Sequence, residues 1–218
     1  MIPNSLFRYC ILLLFLILLI TGDSLPAISE ENIEHMVDIH LIGIRLVAVR
    51  SGSPNVDIEM HLNEKCIWMK SFGRLGAVLT TDRFLVVTQS SGSWFEMDLR
   101  LEDGVQKEGH FSSDLVFYDT GARVIGFDRR TNSFIEWDYA ISEMVLEIAV
   151  GESIAGIVSN NNVVGYTAGS GGHVVLALRL SERPLSISAK TDMITVVTSL
   201  NLLTFQRGAL EWSKEPIR

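Results

Sequence analysis

From residue 37 onward, short apolar, β-branched runs alternate with clusters of turn-forming residues, and no stretch carries the 3.6-residue apolar spacing of an amphipathic helix. The pattern predicts strands at about 41–49, 56–62, 66–69, 75–79, 84–88, 94–99, 115–118, 123–127 and 134–139. Further strands are predicted at about 144–150, 154–158, 163–166, 173–178, 185–188, 194–197, 202–205 and 210–212. The separators include Ser51-Gly-Ser-Pro54, Ser90-Ser-Gly-Ser93, Arg130-Thr-Asn-Ser133 and Ala168-Gly-Ser-Gly-Gly172. Gly and Asn tolerate the positive φ of tight hairpins, and Pro and Ser suit other turn positions.

The runs recur. Thr81-Asp-Arg-Phe-Leu-Val-Val-Thr88, Thr120-Gly-Ala-Arg-Val-Ile-Gly-Phe127, Asn160-Asn-Asn-Val-Val-Gly-Tyr-Thr167 and Thr191-Asp-Met-Ile-Thr-Val-Val-Thr198 are each a turn followed by an apolar run. Their turn positions Asp82, Gly121, Asn161 and Asp192 are 39, 40 and 31 residues apart. A second marker keeps the period: the acid-x-acid pairs Asp57-Ile-Glu59, Glu96-Met-Asp98 and Glu136-Trp-Asp138 are spaced by 39 and 40. A fourth copy at Val174-Val-Leu-Ala177 lacks the acids, and an earlier copy falls in the run around Val47. The fold class expected is all-β: an array of about five short antiparallel four-stranded units. The fourth unit is expected to lack an outer strand, because 179–182 runs directly into Pro184, and the fifth is expected to be compressed.

A forty-residue unit of four short antiparallel strands resembles the blade of a β-propeller. The resemblance spans about 37–212, is at fold level only, and includes Ala209-Leu-Glu-Trp212, which is similar to endings of quinoprotein-type propeller repeats. No diagnostic dipeptide, such as a repeated Gly-His and Trp-Asp pair, recurs at a fixed place, so no family's functional residues transfer. The resemblance implies a ring. Either the strand near 37–41 completes the last blade or the ring is incomplete, with an open array or two-sheet sandwich as the alternative.

The first residues follow another rule. Cys10 to Ile20 is an uninterrupted apolar run, predicting an N-terminal apolar helix, with Arg8 before it and Gly22-Asp23-Ser24 and Pro26-Ala27 after it. That layout predicts a secretory signal peptide cleaved near Ser24 or Ala27. It is short for a bilayer span of about 20 residues. Residues 1–27 are therefore a signal peptide or an uncleaved N-terminal membrane anchor tethering through 7–21, residues 28–36 an acidic lead-in, and residues 37–218 the β-repeat domain. The expected location is exported, periplasmic or extracellular, or else membrane-anchored.

Composition adds exclusions. At 47% hydrophobic and 20% charged the 218-residue chain is of the folded class. A net charge of −8 without a basic stripe excludes a nucleic-acid partner. Cys10 departs with a cleaved leader, leaving Cys66 in an apolar run as a small buried hydrophobe rather than half of a disulfide.

The chemistry-bearing candidates are few. Alternate residues of a strand share a face, so Asp57 and Glu59, Glu96 and Asp98, and Glu136 and Asp138 each point one way. Converging carboxylates could hold Ca²⁺ or serve as the acid and base of a glycoside hydrolase; the competing expectation is a solvated outer strand. Trp94 and Trp137 are candidate glycan-stacking faces, against packing between sheets. No histidine pair has zinc spacing, Gly169-Ser-Gly-Gly172 is neither a nucleophile elbow nor a phosphate loop, and no cofactor or metal is expected. The function expected is an exported non-catalytic β-repeat module binding a protein or glycan. The alternatives are a carboxylate-dependent extracytoplasmic hydrolase and a membrane-tethered scaffold.

Overall fold

The computed structural model describes residues 36–104 and 109–217, which lie within one compact unit. The predicted apolar helix and nearly all of the acidic lead-in fall outside these residues. Among the described residues there is no helix. Nineteen short strands form five antiparallel sheets in chain order. The first sheet has three strands, β1 (Val37–Ile42), β2 (Arg45–Arg50) and β3 (Ser53–Glu59). The second has β4 (Cys66–Phe72), β5 (Leu75–Thr80), β6 (Arg83–Thr88) and β7 (Phe95–Asp98). The third has β8 (His110–Phe111), β9 (Leu115–Asp119), β10 (Arg123–Asp128) and β11 (Ser133–Asp138). The fourth has β12 (Val145–Val150), β13 (Ile154–Ser159), β14 (Asn162–Thr167) and β15 (His173–Ala177), and the fifth β16 (Pro184–Ala189), β17 (Met193–Thr198), β18 (Asn201–Gln206) and β19 (Ser213–Pro216).

Each sheet is a meander because its connections are too short for anything else. Two-residue hairpins at Gly43-Ile44 and Gly73-Arg74 begin on glycines at φ 63° and 56°, which match the right-handed twist of the flanking strands. A meander has two faces, and four apolar clusters fill the four junctions between successive sheets. Val37, Leu46, Val78, Leu85 and Trp94 join the first to the second, and Leu79, Phe84, Tyr118 and Phe127 the second to the third. Phe117, Ile148, Ile157 and Tyr166 join the third to the fourth, and Ile154, Val163, Ile194 and Phe205 the fourth to the fifth. Gly165 makes the last junction close, because a Cβ there would lie 2.5 Å from the Phe205 ring.

The end sheets differ from the middle ones. In β5, β6, β10 and β13 every position is buried, so both faces are covered. In β17 the pattern alternates between buried and half-buried, and in β1 exposed Asp38 and His40 interrupt buried Val37 and Ile39. Pairing registers make Asp38 and His40 the counterparts of Gly76 and Val78, so the outward face of the first sheet is polar where the next sheet's is apolar. No apolar cluster of the described residues joins the first sheet to the fifth. The array is propeller-like and incomplete, with polar residues on the outer face of its first sheet, as terminal repeats carry.

One alternative is decided and four expectations are corrected. The strand at 37–41 pairs with β2 in the first sheet and does not complete the last. The first unit has three described strands rather than four, and β15 supplies the outer strand the fourth was expected to lack. The fourth copy of the turn motif was misaligned. Thr191–Thr198 contains β17, a second strand, whereas the other three copies contain third strands; the true counterpart is β18. The last unit is therefore full length, its outer strand being β19 rather than 210–212.

Candidate interaction surface

The acid-x-acid pairs lie on the last strands of their sheets, β3, β7 and β11, where the predicted alternation holds and the sheet meets solvent. The structure does not gather the three pairs at one point; each pair meets arginine within its own sheet or at its junction. Arg45 pairs with Asp57, and Arg83 with Glu96. Arg100 donates to Glu136 at 2.7 Å and to Asp138 at 2.6 Å, and Arg123 also reaches Glu136. Glu59 sits 3.9 Å from Arg45. Asp98 sits opposite Arg83 in the ladder. Trp94 is buried in the first junction, and Trp137 packs edge-on against Tyr139, so both belong to packing. Because the Arg100 pairs are half-exposed, Arg100→Ala is expected to cost less than about 1 kcal/mol in urea unfolding.

Sequence reasoning missed a second set of acids at the same end of the sheets. Glu64, Asp103, Glu143 and Glu182 are 39, 40 and 39 residues apart, each on the loop leading into or towards the next sheet. Each closes its loop on itself. Its carboxylate accepts from the backbone N–H three residues earlier, that of His61 at 2.6 Å, Arg100 at 2.8 Å, Ala140 at 3.0 Å and Arg179 at 3.5 Å. Its own N–H returns a bond to the carbonyl of that residue. Asn63 and Ser142 adopt φ of 69° and 66° within these turns.

The other carboxylate oxygen anchors the loop to the hairpin between the second and third strands. Thr80, Thr120, Ser159 and Thr198 each donate a hydroxyl hydrogen bond to it. The same hydroxyls accept from the N–H groups two and three residues on, as Thr80 does from Asp82 and Arg83. The third member changes along the array. Arg83 grips Glu64 through two nitrogens at 3.1 and 2.6 Å, and Arg123 grips Asp103 likewise. Asn162 and Asn201 donate to Glu143 at 2.7 Å and Glu182 at 2.6 Å, with Lys214 added at 3.2 Å on Glu182. Burial alone would raise these carboxyl pKa values, but the hydrogen bonds outweigh it. Glu64 is held down to about 2 by Arg83, Thr80 and the His61 N–H, and Glu182 to about 2 by Thr198, Asn201 and Lys214. Asp103 and Glu143 are lowered as well.

His61, Glu64 and Asp82 bring ligand atoms within 4.8 Å of one another. Both Glu64 oxygens already accept from Arg83, whose guanidinium supplies the positive charge a cation would bring.

What the anchored loops present is apolar. Two residues before each acid stand Leu62, Leu101, Ile141 and Leu180, with exposures of 92%, 102%, 99% and 108%. A lone exposed leucine needs no explanation, but four at equivalent positions of successive units form a row along one end of the array. Ile42, Ile44, Met144 and Ile217 add exposed apolar surface at that end. The opposite end is tied by polar links: Arg50 reaches the carbonyls of Pro54 and Ser91, and Asp128 accepts from Tyr166 and the Gly169 N–H.

No family model and no curated protein matches the sequence. Solved structures resemble it at the level of fold, and they are propeller or RCC1-like repeat proteins. Human WBSCR16 is 8% identical, covers 78% of this chain and 62% of its own, and gives a TM-score of 0.44. PorZ of Porphyromonas gingivalis is 10% identical over 86% of this chain and 27% of its own, at 0.42. Prp20p from Saccharomyces cerevisiae is 10% identical over 79% and 57%, at 0.40. The chain thus spans less than two thirds of these structures.

Proposed function

We propose that this chain is an exported, non-catalytic β-repeat scaffold that docks an apolar partner surface, of a protein or a membrane, on the loop-bearing end. The row of four exposed aliphatics carries the reading. Each is the tip of a turn whose backbone is fixed by a buried acid, so it is presented without the ordering cost of a floppy loop. Isolated aliphatics offer a glycan neither a stacking face nor a hydrogen bond, which favours an apolar surface over sugar. The four buried loop carboxylates at this end are engaged by guanidinium, hydroxyl and amide donors, as expected of a scaffold. Export rests on the apolar run from Cys10 to Ile20.

The test is saturable association of the full chain with an isolated cell-envelope fraction. The wild type is expected to bind, and the variant carrying Leu62→Ser, Leu101→Ser, Ile141→Ser and Leu180→Ser to lose most of that binding. Ser170→Asp at the opposite end should bind normally. Equal binding by the fourfold variant would overturn the assignment of this end.

A further inference from the structure

Resting on that reading, we infer that the surface docked by the four tips is a lipid bilayer. The first argument is shape. Leu62, Leu101, Ile141 and Leu180 protrude singly from convex turns, and each is more than nine-tenths exposed. A protein partner must offer a matching hole for each protruding knob, whereas the interfacial region of a bilayer accommodates isolated aliphatic tips without complementary relief. The row is also one-sided. The tips occupy equivalent positions in successive units, so they meet a flat surface together.

The second argument is the rest of the chain. The apolar run ending at Ile20 brings the nascent chain to a membrane whether it is later cleaved or kept. If it is kept, residues 21–36 reach at most about 55 Å when extended, against about 20 Å for a six-residue strand. An anchor can therefore serve either end of the array.

Charge does not select the lipid. Exposed Asp82 and Glu102 lie on the tip-bearing end beside Lys65, Arg179 and Arg183, so that end carries both signs and no polybasic cluster. Binding is therefore apolar in origin and does not require anionic headgroups.

Two other features were weaker. The outward faces of the first and fifth sheets mix Asp38, His40, Thr195 and Thr204 with Val47, Met193, Val197 and Leu202, and nothing on them shows what would cover them. The cleft of about 370 Å³ lined by Asp38, Ile39, Met69, Lys70 and Ser71 has no buried polar group aimed into it.

The experiment places a reporter at the tips of the full chain. Leu101→Trp and Leu180→Trp variants are mixed with phosphatidylcholine vesicles whose acyl chains are brominated near the headgroup, and added emission is compared with the parent. The native tryptophans are buried or half-buried within the sheets and give the baseline. Quenching and a blue shift of both added tryptophans are expected, with Ser170→Trp at the other end unquenched. The fourfold serine variant should lower the tip-dependent vesicle partition about tenfold or more. Vesicle-bound chain with unquenched tips would overturn the inference, since the leader alone would then hold it. A soluble dimer abolished by the serine substitutions would also overturn it, in favour of a second copy. If vesicles fail but the envelope fraction still discriminates the fourfold variant, the lipid assignment falls and the docking end survives, its partner then being a protein.

Discussion

Glu64→Ala is expected to destabilise the folded chain by about 3–5 kcal/mol in urea unfolding, because it strands a buried guanidinium. Arg83 is 3% exposed in its side chain and would retain the Glu59 carbonyl and, as its one carboxylate partner, Glu96 on the solvent side. The same operation at Glu143 removes a carboxylate whose hydrogen-bond partners Ser159 and Asn162 are neutral, and should cost about 1–3 kcal/mol. The ranking is the stringent part of the prediction, and Glu143→Ala proving the costlier variant would contradict it. The acids also set the response to pH. The folded pKa values of Glu64 and Glu182, about 2, lie below the unfolded value of about 4.3. A depressed carboxyl gives stability that is complete above its unfolded pKa and lost as pH falls through the folded one. The melting temperature should thus hold from pH 7 to about 5 and fall between about 4.3 and 2, and Glu182→Gln should flatten that fall.

Phe205→Ala is expected to cost about 3–5 kcal/mol and to loosen one sheet rather than the molecule. Phe205 is 1% exposed, lies against Gly165, and packs 5.2 Å from the Trp212 ring. It serves only the junction of the fourth and fifth sheets. In an array stabilised by nearest neighbours, losing one junction releases the terminal repeat first. Amides of β16 to β19 should therefore exchange faster in the variant while those of β5 and β6 keep their protection. Uniform acceleration across all sheets would contradict nearest-neighbour stabilisation.

The period was legible in the sequence because the strand before the last carries an apolar run and the last strand carries wet acids, two patterns that surface and core impose independently. The misaligned fourth copy shows where such reading stops. Thr191-Asp-Met-Ile looks like Thr81-Asp-Arg-Phe because both are hairpins entering apolar strands, and only pairing with distant residues reveals that one is a second strand and the other a third. β8 and β19 were missed for a related reason. His110-Phe111 is held by β9, and Ser213-Lys-Glu-Pro216 is polar with a proline, so its extended shape comes from the β18 edge. The acid network repeats as faithfully as the strands, yet its third member is Arg in two units and Asn in two. Buried acids also read as surface ones until the hydroxyl sixteen or seventeen residues onward is brought alongside. Exposure of the four aliphatics is likewise a property of the folded turns. In the sequence, Leu62 belongs to a predicted strand.

Hydrogen exchange at four backbone amides tests the central claim most directly. If a buried carboxylate fixes every inter-sheet turn, the N–H groups of His61, Arg100, Ala140 and Arg179 should be protected to a degree comparable with strand amides, although all four lie in surface loops. Exchange at those four positions as fast as at the exposed Ser170 turn would show the loops to be unanchored.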